Sequence, residues 1–280
     1  MAIAMMNKNG DATYEFNTPA AWDGLVMEKS LMALIESSSS DEPSANALPS
    51  QVFVMGTIAA RLDNEHGATS SSSLMSIRNM APEGTVVLDV NLRSPWYSEE
   101  RVLKLARGTA AGLAEGTAAN ATQSTKKLAL LKMNEDELVI LEQWCGISTL
   151  TDENGEQCLT GPKLKQRMEQ LSTSLNTQRL CVTRGKDGAA FLCRGQNDEV
   201  LFHENLGYSL ATNNDSDTVG AGDAFLAALI YSHLLFKESP QKALERACAL
   251  GGYVAGCRGA TPEHADAPEE LKKIFSLHLS

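Results

Sequence analysis

The stretch Asp217-Thr218-Val219-Gly220-Ala221-Gly222-Asp223-Ala224-Phe225, continued by Leu226-Ala227-Ala228-Leu229-Ile230-Tyr231-Ser232-His233-Leu234-Leu235, passes from small residues and acids into an apolar run. Phe225, Leu226, Leu229, Ile230 and Leu234 recur at helical spacing, so a loop is expected to turn into a buried helix at the glycines. A helix start leaves free N–H groups and a partial positive charge, and Gly220, Ala221 and Gly222 carry almost no side chain to keep an anion away. Asp223 falls in the first turn beside this anion hole, where a carboxylate can take the proton of a hydroxyl that attacks a phosphoryl group. The same residues admit a plainer reading. An Asp near a helix start complements the dipole, and Gly-x-Gly before a helix makes a tight turn.

Upstream of this stretch the chain alternates. Residues 52–55, 86–90, 128–131 and 180–183 are short apolar or β-branched runs, with helix-like stretches at 74–80, 99–107, 135–144 and 164–175. Near-continuous apolar strands separated by helices predict a mostly parallel sheet covered on both faces. Residues 189–193 and 199–202 read as an antiparallel hairpin, and helices at 240–255 and 268–276 follow the central stretch. At the other end, residues 2–6 and 12–16 flank the turn signal Asn9-Gly10, which predicts a second hairpin. An amphipathic helix is expected at 22–35. Residues 37–50, 63–73 and 108–126 offer little apolar surface against ordering entropy and are expected to be inserted surface loops.

The 280 residues suffice for one α/β domain with a substantial core. A formal net charge of −11 with no clustered Lys and Arg excludes a general nucleic-acid surface. No apolar run is long enough to span a bilayer, and residues 1–6 lack the basic start of a signal peptide, so a cytoplasmic protein without membrane partners is expected. Cys145, Cys158, Cys181, Cys193, Cys248 and Cys257 show no metal-like spacing and are expected as reduced thiols.

Three further segments carry chemistry. In Val86-Val87-Leu88-Asp89-Val90-Asn91-Leu92-Arg93 an apolar strand runs into polar residues, and a period of two places Asp89, Asn91 and Arg93 on one side, at the strand end where ligands of open α/β sheets collect. The alternative is a strand end whose polar groups serve its own loop, Arg93 pairing with Asp89. Asn134 and Glu137 stand at N-cap and N3 of the next helix, the spacing of a capping box. Thr183-Arg184-Gly185-Lys186-Asp187-Gly188 follows a strand and reads first as a hairpin turn. No Gly-x-x-x-x-Gly-Lys-Ser/Thr loop, protein-kinase catalytic string, early Gly-x-Gly-x-x-Gly turn or Gly-x-Ser-x-Gly elbow is present.

Together these strings resemble the PfkB, or ribokinase-like, carbohydrate kinases. Asp217-Thr218-x-Gly220-Ala221-Gly222-Asp223 matches that family's signature at every defined position, and Asp89-x-Asn91-x-Arg93-x-Pro95-Trp96 is similar to the strand of its fructokinase and 2-keto-3-deoxygluconate kinase branch. The resemblance implies a three-layer αβα fold with a mostly parallel central sheet and a partial β lid, here the hairpin at 1–17. It implies ATP-dependent phosphoryl transfer to a sugar hydroxyl, with Asp223 as catalytic base and Gly220, Ala221 and Gly222 on the transferring phosphoryl group. Asp89, Asn91 and Arg93 would contact the sugar. Asn134 and Glu137 would hold the phosphates and Mg²⁺, with Glu137 reaching the metal through water. Thr183, Gly185 and Gly188 would line the nucleotide phosphates, with Arg184 or Lys186 adding charge. Gly252 would border adenine, although small residues in a helix equally serve close packing. A monovalent cation is a further implied cofactor. The partners implied are a small-molecule sugar and, for the protein itself, a second copy or a complete paralogue. The match starts in the lid hairpin, and nothing corresponds to the family's opening strand, substrate-binding Asp and Gly-Gly segment. An amino-terminally incomplete domain is therefore expected, and with it the alternative of a pseudokinase that binds nucleotide as a regulatory or structural subunit.

Overall fold

The structure, a computed structural model, describes residues 2–6, 12–16, 52–60, 70–108, 126–151, 155, 157–195, 199–208, 217–263 and 266–275. The helix expected at 22–35, the loop at 37–50 and most of those at 63–73 and 108–126 lie outside these residues. Strands β1 (Ala2–Met6) and β2 (Ala12–Phe16) pair antiparallel, Ala2 opposite Phe16 and Met6 opposite Ala12. The other six strands form one sheet in chain order: β3 (Phe53–Gly56), β4 (Val86–Asp89), β5 (Leu130–Asn134), β6 (Arg179–Thr183), β7 (Ala189–Arg194) and β8 (Val200–Asn205). By internal contacts the chain divides into two compact units. One comprises residues 18–181 and 192–200, the other residues 1–17, 182–191 and 201–280.

In the first unit β3, β4 and β5 run parallel, with Asp89 in register with Lys132. Every residue of β4 is buried, and so are Leu130 to Met133 of β5, as parallel strands covered on both faces require. The covering helices are α1 (Ser70–Met80), α2 (Glu99–Arg107), α3 (Glu135–Trp144) and α4 (Gly161–Ser174). Helix α2 starts at Ser98, whose Oγ accepts the Arg101 N–H, and stops at Gly108 with φ 74°. The expected loop at 63–73 is corrected from Ser70 onward. Helix α1 begins there because Leu74 and Arg78, one turn apart, are both buried against the unit. Arg78 donates to the carbonyls of Leu105, Ala106 and Lys126 at 2.9, 3.1 and 2.7 Å, which satisfies the end of α2. Burial lowers its pKa to about 10.

A second correction concerns β4. It ends at Asp89, and Asn91 adopts φ 39°, so the extended alternation that would align Asp89, Asn91 and Arg93 breaks two residues past the strand.

In the second unit α5 (Ala221–Leu229) runs on into a π-helical turn at Ile230–Leu235. Helices α6 (Pro240–Ala255) and α7 (Glu269–Phe275) complete it, and Ala249, Tyr253, Val254, Ala267 and Leu271 form a buried cluster. Helix α6 opens with a Ser239 cap and Pro240 in its first turn. Gly251 lets α6 lie close to α5: a Cβ there would stand 3.0 Å from the Cβ of Phe225.

Candidate active site

The central stretch folds as its composition demands. Gly220 is the N-cap of α5 at φ 80°, ψ −7°, and a Cβ on it would stand 2.5 Å from the Cβ of Ala260, so only glycine meets both demands. The Ala221 N–H donates to Thr218 O at 3.2 Å and the Ala224 N–H to Gly220 O at 2.8 Å. Among the described residues the N–H groups of Gly222 and Asp223 between them find no acceptor. Both residues are exposed. The turn therefore offers donors and a carboxylate to solvent from a fixed backbone. Asp217 fixes that backbone: its Oδ1 accepts the Val219 N–H and its Oδ2 the Gly259 N–H, each at 3.0 Å, while its own N–H donates to Cys257 O.

Thr183 ends β6, and Gly185–Asp187 make a single 3-10 turn that closes with Arg184 N–H on Gly188 O at 2.8 Å. Gly188 has φ 85°, and a Cβ on it would fall 1.9 Å from Asn205 O. Gly185 stands in open space. Arg184 departs from the expectation that it adds charge to this turn. It is buried and donates to Glu204 Oε1 at 2.7 Å and to the carbonyls of Ala189 and Asn205 at 3.3 and 3.4 Å, so its cation is spent inside the unit. Lys186 is exposed on the same turn. Gly252 packs against residue 208, where a Cβ would come 2.7 Å from the Tyr208 carbonyl oxygen.

The first unit holds a separate cluster at the ends of β4 and β5. Asn134 and Glu137 form the capping box their spacing predicts: Asn134 Oδ1 accepts the Glu137 N–H at 2.8 Å and Glu137 Oε2 the Asn134 N–H at 2.9 Å. Glu137 Oε1 accepts the Leu92 N–H at 2.7 Å, so the same carboxylate ties α3 to the loop leaving β4. Burial pushes the Glu137 carboxyl up, and these two N–H bonds work against it. Asp89 adds to the rise and Lys132 opposes it. Asp89 pairs with Lys132: the ammonium lies 3.1 and 3.0 Å from its two oxygens, and both residues are buried. Asn91 and Arg93 are half-buried on the loop beyond.

Lys132 is the residue that sequence reasoning passed over. Its signal was a lysine inside an apolar strand, since lysine is almost never buried unless paired, and Asp89 in the neighbouring apolar strand was the available partner. Among the described residues no group of three or more His, Cys, Asp and Glu side chains could hold a metal ion, and no helix is long and apolar enough to cross a membrane.

The family described as pfkB family carbohydrate kinase matches residues 113–266, more than half of the chain. No curated protein sequence matches it. Among solved structures, a fructokinase double mutant from Vibrio cholerae O395 with fructose, ADP and potassium bound is similar at 17% identity and a TM-score of 0.55, over 98% of this chain and 73% of that one. A fructokinase from Xylella fastidiosa with bound ATP is similar at 18% identity and a TM-score of 0.55, over 92% and 68%. An Arabidopsis thaliana ribokinase complexed with ribose and ATP is similar at 16% identity and a TM-score of 0.54, over 99% and 69%. Identities this low carry the fold alone, and the chain spans less than three quarters of each of these proteins.

Proposed function

We propose, from the premise that this chain belongs to the pfkB family of carbohydrate kinases, that it transfers the γ-phosphoryl group of ATP to a hydroxyl of a ketose or keto-acid sugar. One observation carries the proposal: the exposed first turn of α5 presents the Asp223 carboxylate together with two N–H donors that find no acceptor among the described residues. In this reading the N–H groups stabilise charge on the transferring phosphoryl oxygens, and Asp223 takes the proton of the attacking hydroxyl. Thr183, Gly185 and Gly188 line the nucleotide phosphates and Gly252 borders the base. Asn91 and Arg93 contact the sugar, and Asp89 supports them. ATP and sugar both occur in the structures similar to this chain, which supports the same pair of substrates here. Magnesium, when bound, neutralises phosphate charge. With no cage among the described residues, it would enter with the nucleotide and meet Glu137 through water, as an ion that keeps much of its hydration shell does. The six cysteines are all free thiols, which supports a cytoplasmic setting.

A second reading is nucleotide binding without sugar turnover. One experiment separates the two. The protein is given ATP and Mg²⁺ with fructose, 2-keto-3-deoxygluconate, ribose or adenosine, while ADP and phosphorylated products are followed by ³¹P NMR and the thermal midpoint is recorded. The proposal expects a phosphorylated ketose or keto-acid and no nucleotide product from adenosine. A midpoint raised by ATP with no product supports the second reading. Absence of both contradicts each.

A further inference from the structure

From Asp89 to Leu92, the end of β4 and the loop that follows are held at every residue by an element other than their own. Lys132 on β5 grips Asp89 at both carboxylate oxygens, and the Lys132 carbonyl accepts the Val90 N–H at 2.9 Å. Thr57, just past β3, donates its hydroxyl to Val90 O at 2.6 Å and lies 3.3 Å from Asn91 O. Glu137 at the start of α3 takes the Leu92 N–H. Between these anchors Asn91 sits at φ 39°, in the left-handed region that asparagine tolerates better than most residues other than glycine.

Thr57 and Glu137 act on backbone atoms of the loop, whereas Lys132 acts at its root from both its backbone and its side chain. The Asp89–Lys132 pair is largely buried, at 7% and 8% exposure. A lysine this buried is retained only with its partner, and here the partner is the last residue before the loop. We propose that Lys132 is a positioning residue for the loop Val90 to Arg93: by clamping Asp89 it sets the direction in which Asn91 and Arg93 are presented. The role of that loop in holding a sugar rests on the kinase reading above. The clamp itself does not.

The test uses the full chain and the double substitution Asp89→Leu/Lys132→Met, because removing Lys132 alone would leave a buried carboxylate without the ammonium that faces it and threaten folding. An apolar pair of similar size removes both charges and keeps the packing. Lys132→Arg, which keeps the cation, is the conservative control. Amide hydrogen exchange and sugar and ATP kinetics are measured on each. Expected are exchange about tenfold faster at Val90 and Leu92 with the rest of β4 and β5 protected, a sugar KM raised about tenfold and an ATP KM within about twofold of the parent. Lys132→Arg should restore part of both effects. Loop exchange at the parental rate overturns the proposal. So does faster exchange throughout β4 and β5, or a sugar KM that stays put in an active enzyme. If the parent phosphorylates no sugar while the loop alone exchanges faster, the positioning role stands and the sugar-kinase reading falls.

Discussion

Burial pushes the thiols of Cys193 and Cys248 from the ordinary 9.0 up to about 12, against the pull of Arg179 on the first and Arg184 on the second. At pH 8 only about one such thiol in ten thousand is a thiolate, and the thiolate is the nucleophile. Native protein treated with iodoacetamide should therefore be alkylated at the half-buried Cys145, Cys158 and Cys257 and not at Cys193 or Cys248 until it is unfolded. Mass spectrometry of the native digest checks this, and labelling of Cys193 as fast as Cys145 would refute it. The sign of the linkage follows: stability associated with these two thiols is whole below the ordinary thiol pKa and falls as pH rises from there towards about 12. Single residues differ in how far the sequence reveals them. Gly220 was legible because a glycine before an apolar helix has few uses, and its φ of 80° and the close Ala260 bear out the turn. Arg184 was not, because a cation on a turn reads the same whether it faces a ligand or, as here, Glu204.

Between elements of the first unit, Glu142 on α3 and Arg167 on α4 form a fully buried pair. Both side chains are wholly buried, with Nε 2.7 Å from Oε1 and Nη2 2.8 Å from Oε2, and the Thr149 hydroxyl and Cys158 carbonyl complete their hydrogen bonds. Removing one partner strands the other, so Glu142→Gln or Arg167→Met should each cost about 3–5 kcal/mol. The double change to apolar residues should cost much less than the sum. Urea denaturation of the four proteins checks this, and additive losses would contradict it. The sequence showed neither half of the pair as a pair, since the residues stand 25 positions apart on separate helices. Elements themselves were easier. The helices at 99–107, 135–144 and 240–255 coincide with α2, α3 and α6 because caps, prolines and periodic apolar residues mark their ends locally. The end of β4 was misread because alternation of polar residues continues in the sequence past Asp89, while Thr57, Lys132 and Glu137 bend the chain there from a distance.

For the whole molecule, the sheet of six strands in chain order and the helices between them agree with the alternation of apolar runs, and the family match over residues 113–266 agrees with the motifs those elements carry. The hairpin of β1 and β2 also formed where the Asn9-Gly10 signal placed it. The account turns on one claim, that the turn at the head of α5 performs phosphoryl transfer with Asp223 as the base. The most direct measurement compares Asp223→Asn with the parent for the rate of sugar phosphorylation and, by calorimetry, for ATP affinity. The substitution keeps the size and removes the basic oxygen. The account predicts kcat lower by roughly 10² to 10⁴ with ATP affinity nearly unchanged. A kcat within about twofold of the parent, in a protein that binds ATP as well as before, would contradict it.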